Sequence, residues 1–220
     1  HNAVISGEVA RPNDFRWYLE RELSKLLAHG AEVKIGASRA RVPLEEPIIF
    51  DNIDEDDWDF RQKKLFLFRP ERIELSLNRL EHYTGTDPKD FQRYIVFTNY
   101  DMHVEAFNKR YPEAIQPNRS GVQMPAYHHT LPNNLGISLI NIGVGPSNAK
   151  TITDHIALLR PDAMIMVGHC AGLRNHQQIG DYVLASGYMR DDYVLNDILP
   201  LNVPVIPNYI LNLHLRDQLI

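Results

Sequence analysis

Between Asn141 and Gly172 the chain carries two glycine-bearing turns whose residue types suit the binding of an anion or a sugar. The first, Asn141 to Lys150, reads NIGVGPSNAK, and the second, Gly168 to Gly172, reads GHCAG. Glycine lets a backbone approach a ligand closely and reach conformations that other residues avoid. In the first turn Ser147 is placed to cap a following helix, leaving backbone N–H groups and the positive helix end for a phosphate or a polarised hydroxyl. A charge-assisted hydrogen bond there contributes about 1.5–3 kcal/mol. A capped strand-to-helix turn with no ligand fits the same residues. In the second turn His169 can donate to a phosphate or a sugar hydroxyl. Cys170 raises a nucleophile reading, but no CxxC accompanies it, and a cysteine packed beneath the turn is the commoner arrangement.

Other groupings carry less chemistry. GVGPSNAKT is not a P-loop, because Ala149 stands before Lys150 and Thr151 where that loop needs glycine. It is not a dinucleotide fingerprint either, since Asn148 occupies the third glycine position after Gly143 and Gly145. His128 and His129 are adjacent and diverge on a strand, which argues against a two-histidine metal site. The acidic run DNIDEDDWD, Asp51 to Asp59, reads as a solvated loop that would repel a phosphate, and the glycine and glutamate of a calcium loop are out of register. Arg160, Arg174 and Arg190 are the basic residues nearest the turns in sequence, and each residue of this kind is more often on the surface than a ligand.

The elements that must position these turns follow from periodicity. Phe15, Leu19, Leu23, Leu26 and Leu27 recur at helical spacing after Pro12, with Asn13 or Asp14 as cap and Gly30 as stop. Glu32 to Gly36 and Val42 to Phe50 read as strands, and Pro70 to Tyr83 as a second helix with Ile73, Leu77 and Leu80 on one face. GTDP, Gly85 to Pro88, breaks the chain. Beyond it the texture changes to strands at Tyr94–Thr98, Ile137–Ile142, Ala163–Val167 and from Asp181, alternating with helices through Val104 and Phe107 and from Ser147. A last helix runs towards Ile220. Alternation of this kind predicts a parallel sheet flanked by helices, preceded by a smaller α+β region, with a boundary near Thr86. In such a sheet the ligand crevice lies beyond the carboxyl ends of the strands, where both glycine turns fall.

Composition bounds the function. At 220 residues and 44% hydrophobic the chain can fill a core, because domains of this size bury roughly 70% of their unfolded surface. A net charge of -5 argues against nucleic acid as partner, since phosphate-backbone binding needs a basic surface. The single cysteine excludes an intrachain disulfide, and no apolar run approaches the roughly 20 residues of a membrane helix. These features lead us to expect a soluble, cytoplasmic protein. The first residue is His1, and the chain is expected to begin inside a longer sequence.

NIGVGPSNAKT, VGHCAGLR and IGDYVLA, in that order, with HYTGT and FTNY upstream, resemble the nucleoside phosphorylase family and within it the AMP-hydrolysing branch. The likeness extends from about Glu71 to Pro204 and is strongest from Gln123 onward, with a looser likeness to that branch's regulatory domain before Glu71. It implies a nucleoside-phosphorylase-like α/β sheet, present in part over residues 87–220, and a regulatory α+β domain over residues 1–86. The implied reaction is hydrolysis of the N-glycosidic bond of AMP to adenine and ribose 5-phosphate, with no cofactor. By the same resemblance Gly145, Pro146, Ser147 and Asn148, together with Gly168, His169, Cys170, Ala171 and Gly172, surround ribose, phosphate and base, and Asn99 and Tyr100 form a third wall. His169 stands where related phosphorylases carry a small hydroxyl residue, a replacement suited to a substrate with its phosphate already attached. The family's Met-Glu pair, which holds the ribose, and its Ser-Asp segment, which assists protonation of the purine, fall beyond Ile220, so no catalytic acid is assigned. Between Pro112 and Met124 the chain is shorter than long family members. A homo-oligomer, hexameric in this branch, and control by ATP and phosphate are also implied. Two other readings stand beside this one: a non-catalytic purine-nucleotide sensor, and a nucleoside phosphorylase of the same fold.

Overall fold

The computed structural model describes residues 13–28, 30, 73–193 and 199–219. The strands expected at residues 32–36 and 42–50 and the acidic run at 51–59 lie outside the described residues. Four strands form one sheet in the order β2-β3-β1-β4: β1 (Tyr94–Thr98), β2 (Ala126–His129), β3 (Ile137–Asn141) and β4 (Ala163–Val167). β1 pairs in parallel with both β3 and β4, while β2 adds an antiparallel edge to β3. The alternation of strand and helix in the sequence anticipates the parallel part. The antiparallel edge strand is four residues long and carries two histidines, too short and too polar to stand out as a strand.

Helices cover both faces. α1 (Arg16–Ala28), α2 (Ile73–Thr84) and α4 (Pro146–Ile156) share one core with the sheet face that carries Ile95, Phe97 and Ile140. Leu80, Phe91, Ile140, Ile152 and Ile156 are fully buried there, each contributing about 1.5–3 kcal/mol. α3 (Asp101–Arg110) lies on the other face, where it and Val96, Leu139 and Val167 bound an open cavity of about 310 Å³. α5 (Tyr209–Leu219) has no buried residue and is tied back by the Asn212 amide, which donates to the Ala185 carbonyl at 2.8 Å.

The face of α1 turned inward differs from the leucine stripe expected. Tyr18 and Glu22 are buried, Phe15 and Leu19 pack at the margin, and Leu27 is exposed. The reason is a polar anchor at the far end of α4. The Tyr18 hydroxyl donates to the Leu158 carbonyl at 3.1 Å, and Lys25 Nζ donates to the Leu159 carbonyl at 3.2 Å. Glu22 offsets the cations gathered there, at 2.9 Å from Lys25 and 3.6 Å from Arg160. Residues on both sides of Thr86 therefore share one core.

Two buried side chains set the edge of the sheet. Gln92 Oε1 accepts the N–H groups of Leu131 and Gly136, both at 3.2 Å, and orders the return from β2 to β3. Gly136 has no room for a side chain, since a Cβ there would lie 1.9 Å from the His129 carbonyl oxygen. His128 carries a hydrogen-bond chain whose direction follows from its ends. The Gln92 N–H donates to Ser138 Oγ at 2.8 Å, and the Ser138 hydroxyl lies 2.7 Å from His128 Nδ1. At the other end Thr84 donates to the Leu80 carbonyl at 2.7 Å and accepts from Thr86 at 3.2 Å, so Thr86 accepts the His128 Nε2–H at 2.8 Å. Nε2 therefore carries a proton, and burial, which pushes the pKa of the ring down to about 3, keeps it neutral, so Nδ1 accepts from the Ser138 hydroxyl.

The segment from Asp181, expected to form a strand, does not. Tyr182 and Val183 are exposed, and among the described residues the only pairing nearby is an isolated bridge between Tyr188 and Val205. A strand needs a partner for its backbone groups, and no strand of the described sheet lies alongside this segment.

Candidate functional site

Register brings the three candidate walls together. Thr98, Asn141 and Val167 occupy one rung of the sheet, so the turns that begin at Asn99, Ile142 and Gly168 leave the same edge side by side. β1 and β3 are neighbours, yet α3 and α4, the helices that follow their turns, lie on opposite faces. Adjacent strands that send their connections to opposite sides open a crevice at their carboxyl ends, the place where open α/β sheets bind ligands. The amino ends of α3 and α4 both begin there, and each presents unpaired backbone N–H groups and partial positive charge.

The β3 turn is braced from within. Gly143 and Gly145 take φ of 64° and 107°, values that L side chains avoid. Asn141 Oδ1 accepts the Gly143 N–H at 3.1 Å, and its Nδ2 donates to Asp101 Oδ1 at 2.8 Å, joining this turn to the first turn of α3. Asn148 Nδ2 donates to the Ile142 carbonyl at 2.9 Å, and Asn148 Oδ1 accepts from Gln123 at 3.1 Å. Ser147 does not cap α4. The helix starts at Pro146 with Gly145 as its cap residue and no side-chain cap bond, because proline pre-sets the first helical φ and has no N–H to satisfy. The Ser147 hydroxyl is left exposed beside Gly145 and Pro146.

The β1 and β4 turns meet through their rings. The His169 imidazole rests on the Tyr100 ring at 4.0 Å between centroids, and the His103 ring meets His169 edge to face at 5.3 Å. Thr98 Oγ1 accepts the Tyr100 N–H at 3.2 Å and lies 2.6 Å from His103 Nδ1. His103 was not singled out by the sequence, and its signal is its place in the first turn of the helix that follows FTNY. Asn99 Oδ1 is buried without a hydrogen-bond partner among the described residues and lies 3.6 Å from where a Cβ on Gly168 would stand. Gly172 is backed by Gln177, with 3.3 Å between a Cβ there and the Gln177 Cβ. Cys170 is exposed, contrary to the expectation of a cysteine packed beneath the turn, because Gly168 to Gly172 runs out past the end of the edge strand β4. Ala171 is exposed beside it.

The basic residues nearest the turns in sequence take no part in these contacts. Arg160 precedes β4 at the opposite edge of the sheet and faces Glu22, Arg174 is exposed beyond Gly172, and Arg190 stands 3.5 Å from Asp192. His128 and His129 diverge: the first lies in the core, and the second stands 2.8 Å from Glu113 and stacks on Tyr111. No helix among the described residues is long and apolar enough to cross a membrane.

Residues 93–220, which carry all three turns, match the family model described as the phosphorylase superfamily. The chain belongs to that superfamily. Among its members, AMP nucleosidase of Escherichia coli strain K12 is 34% identical over 265 aligned positions, covering 93% of this chain and 54% of the relative. The chain thus spans about half the length of that relative. The alignment is also longer than the 220-residue chain, so the relative carries residues here that this phosphorylase-superfamily chain lacks. The crystal structure of AMP nucleosidase from Bacteroides thetaiotaomicron superposes with a TM-score of 0.57 at 31% identity, covering 66% of this chain and 58% of that one. Purine nucleoside phosphorylase from Toxoplasma gondii, at 14% identity and a TM-score of 0.52, covers 61% of this chain and 56% of its own and shares the superfamily fold.

Proposed function

We propose that this chain is part of an enzyme that hydrolyses the N-glycosidic bond of AMP, releasing adenine and ribose 5-phosphate. The observation that carries the reading is the meeting of the three turns on one rung of the sheet, in a chain 34% identical to an AMP nucleosidase. In the reaction a water oxygen bonds to the anomeric carbon as the carbon–nitrogen bond breaks, the electron pair leaves with the purine, and the purine takes up a proton. Such a step has an oxocarbenium-like transition state, so what counts is a site that holds the ribosyl group and stabilises developing charge.

The chain's own residues supply the holding. The α4 amino end, with no acidic residue in its first turn, offers free N–H groups to a polarised ribose hydroxyl. Asn99 Oδ1 accepts a hydrogen bond from a ribose hydroxyl, which relieves the roughly 1–3 kcal/mol that a buried unpaired acceptor costs. Gly145 and Gly168 let the sugar approach the backbone, and His169, seated on Tyr100, donates to the phosphate or the sugar. Gly172, Ala171 and Cys170 complete the wall on the β4 side, and Pro146, Ser147 and Asn148 complete it on the α4 side. Residues 1–86 act as the regulatory region through which ATP and phosphate bear on this site, in a homo-oligomer. The shared core across Thr86 gives such a signal a packed route.

The test is an adenine-release assay on the full-length protein. Adenine and ribose 5-phosphate from AMP are the expected products. Ribose 1-phosphate formed only with added inorganic phosphate would make the protein a phosphorylase, and AMP binding without turnover would make it a sensor. Either result overturns the proposal.

A further inference from the structure

We infer that His103 is a second imidazole of the nucleotide site, and that with His169 it determines specificity for the anionic end of the substrate. The inference rests on the proposed nucleotide reading of the crevice. Thr98 Oγ1, at the last position of β1, engages His103 Nδ1 at 2.6 Å while accepting the Tyr100 N–H at 3.2 Å. The ring is therefore fixed by the strand end, and Nε2 is the hydrogen-bonding atom it retains for a ligand. His169 reaches it from a different strand, edge to face at 5.3 Å, with Tyr100 packed against both rings. The pair exists only where the β1 and β4 turns meet.

Charge assigns the ligand class. Among the described residues no carboxylate lies within salt-bridge distance of either ring, in contrast to His129, which faces Glu113 at 2.8 Å. Asp101, the acid in the first turn of α3, takes the Asn141 amide instead. Two imidazoles without a carboxylate, at the positive end of a helix, can both donate to one anionic group, and a phosphate offers three acceptor oxygens for them. A neutral ligand such as free adenine lacks that group, so the pair separates nucleotide from base.

The experiment uses the full-length enzyme. His103→Phe keeps a ring of similar size against Tyr100 and His169 and removes both nitrogens, while His103→Gln retains an N–H donor. His103→Phe is expected to lower kcat/KM for AMP at least tenfold and to leave the inhibition constant of adenine within twofold, with an unchanged thermal midpoint. His103→Gln recovers part of the loss. An unchanged AMP constant, or an adenine constant weakened by the same factor, overturns the inference. If the wild-type protein binds AMP without cleaving it, the hydrolase reading fails first. The same AMP and adenine comparison, made by calorimetry, then decides the role of His103.

Discussion

Acidification should weaken this fold through one residue, His128, and the size of the effect follows from its burial. The neutral ring satisfies both of its hydroxyl neighbours, with Nε2–H donating to Thr86 and Nδ1 accepting from Ser138. Burial holds the folded pKa at about 3, against 6.5 for a free imidazole. Between those values the unfolded chain binds a proton that the folded chain does not, so stability rises with pH and is lost as pH falls below about 6.5. From pH 7.5 to pH 5 the loss is about 2 kcal/mol. That figure is set by the unfolded pKa, because any folded value below about 4 gives nearly the same result. For a chain of this length it corresponds to a fall of about 4–8 °C in thermal midpoint. The assay is urea unfolding of wild type and His128→Gln at both pH values. Glutamine carries one donor and one acceptor and does not titrate, so the pH-dependent loss should be about 2 kcal/mol smaller in the variant, with the other histidines cancelling. Equal losses in the two proteins would refute the reasoning. Should the variant fail to fold, the wild-type ring can be followed by NMR, and a His128 ring that takes up its proton above pH 5 would refute it equally.

Two further outcomes follow from packing. Gly136→Ala should destabilise the fold by about 3 kcal/mol or more, because the new methyl meets backbone at 1.9 Å and Gln92 Oε1 at 2.8 Å; a midpoint in urea unchanged from wild type would contradict the tight return from β2 to β3. Glu22→Gln should cost about 2–3 kcal/mol, less than a fully buried pair since Arg160 is partly exposed, by leaving Lys25 and Arg160 without their shared carboxylate. Limited proteolysis should then release α1 first, and α1 protected as in wild type would argue that the anchor is unimportant.

Much of the sheet was legible because its signals are local. YIVFT, ISLIN and AMIMV are short apolar runs bounded by turn residues, and the helices between them are amphipathic, so their kind and order could be read directly. The two glycine turns were legible for the same reason. What failed depended on distant partners. DYVLAS has the composition of a strand, but a strand forms only against another, and none of the described sheet lies beside it. Cys170 has the composition of a buried residue, but its turn projects from an edge strand. The inward face of α1 went to Tyr18 and Glu22 because the Leu158 carbonyl and the charge of Arg160 wait for them, more than 130 residues away in sequence.

The amino-acid sequence by itself determined the α/β class, the two glycine turns and their place at strand ends, since each rests on residue types within a few positions of one another. Only the tertiary structure decided that Asn99, Gly168 and the β3 turn share one edge, that α3 and α4 diverge to open a crevice there, and that His103 stands beside His169. Strand order and register are set by which side chains fill a common core, and that competition is settled across the whole chain rather than within any one segment.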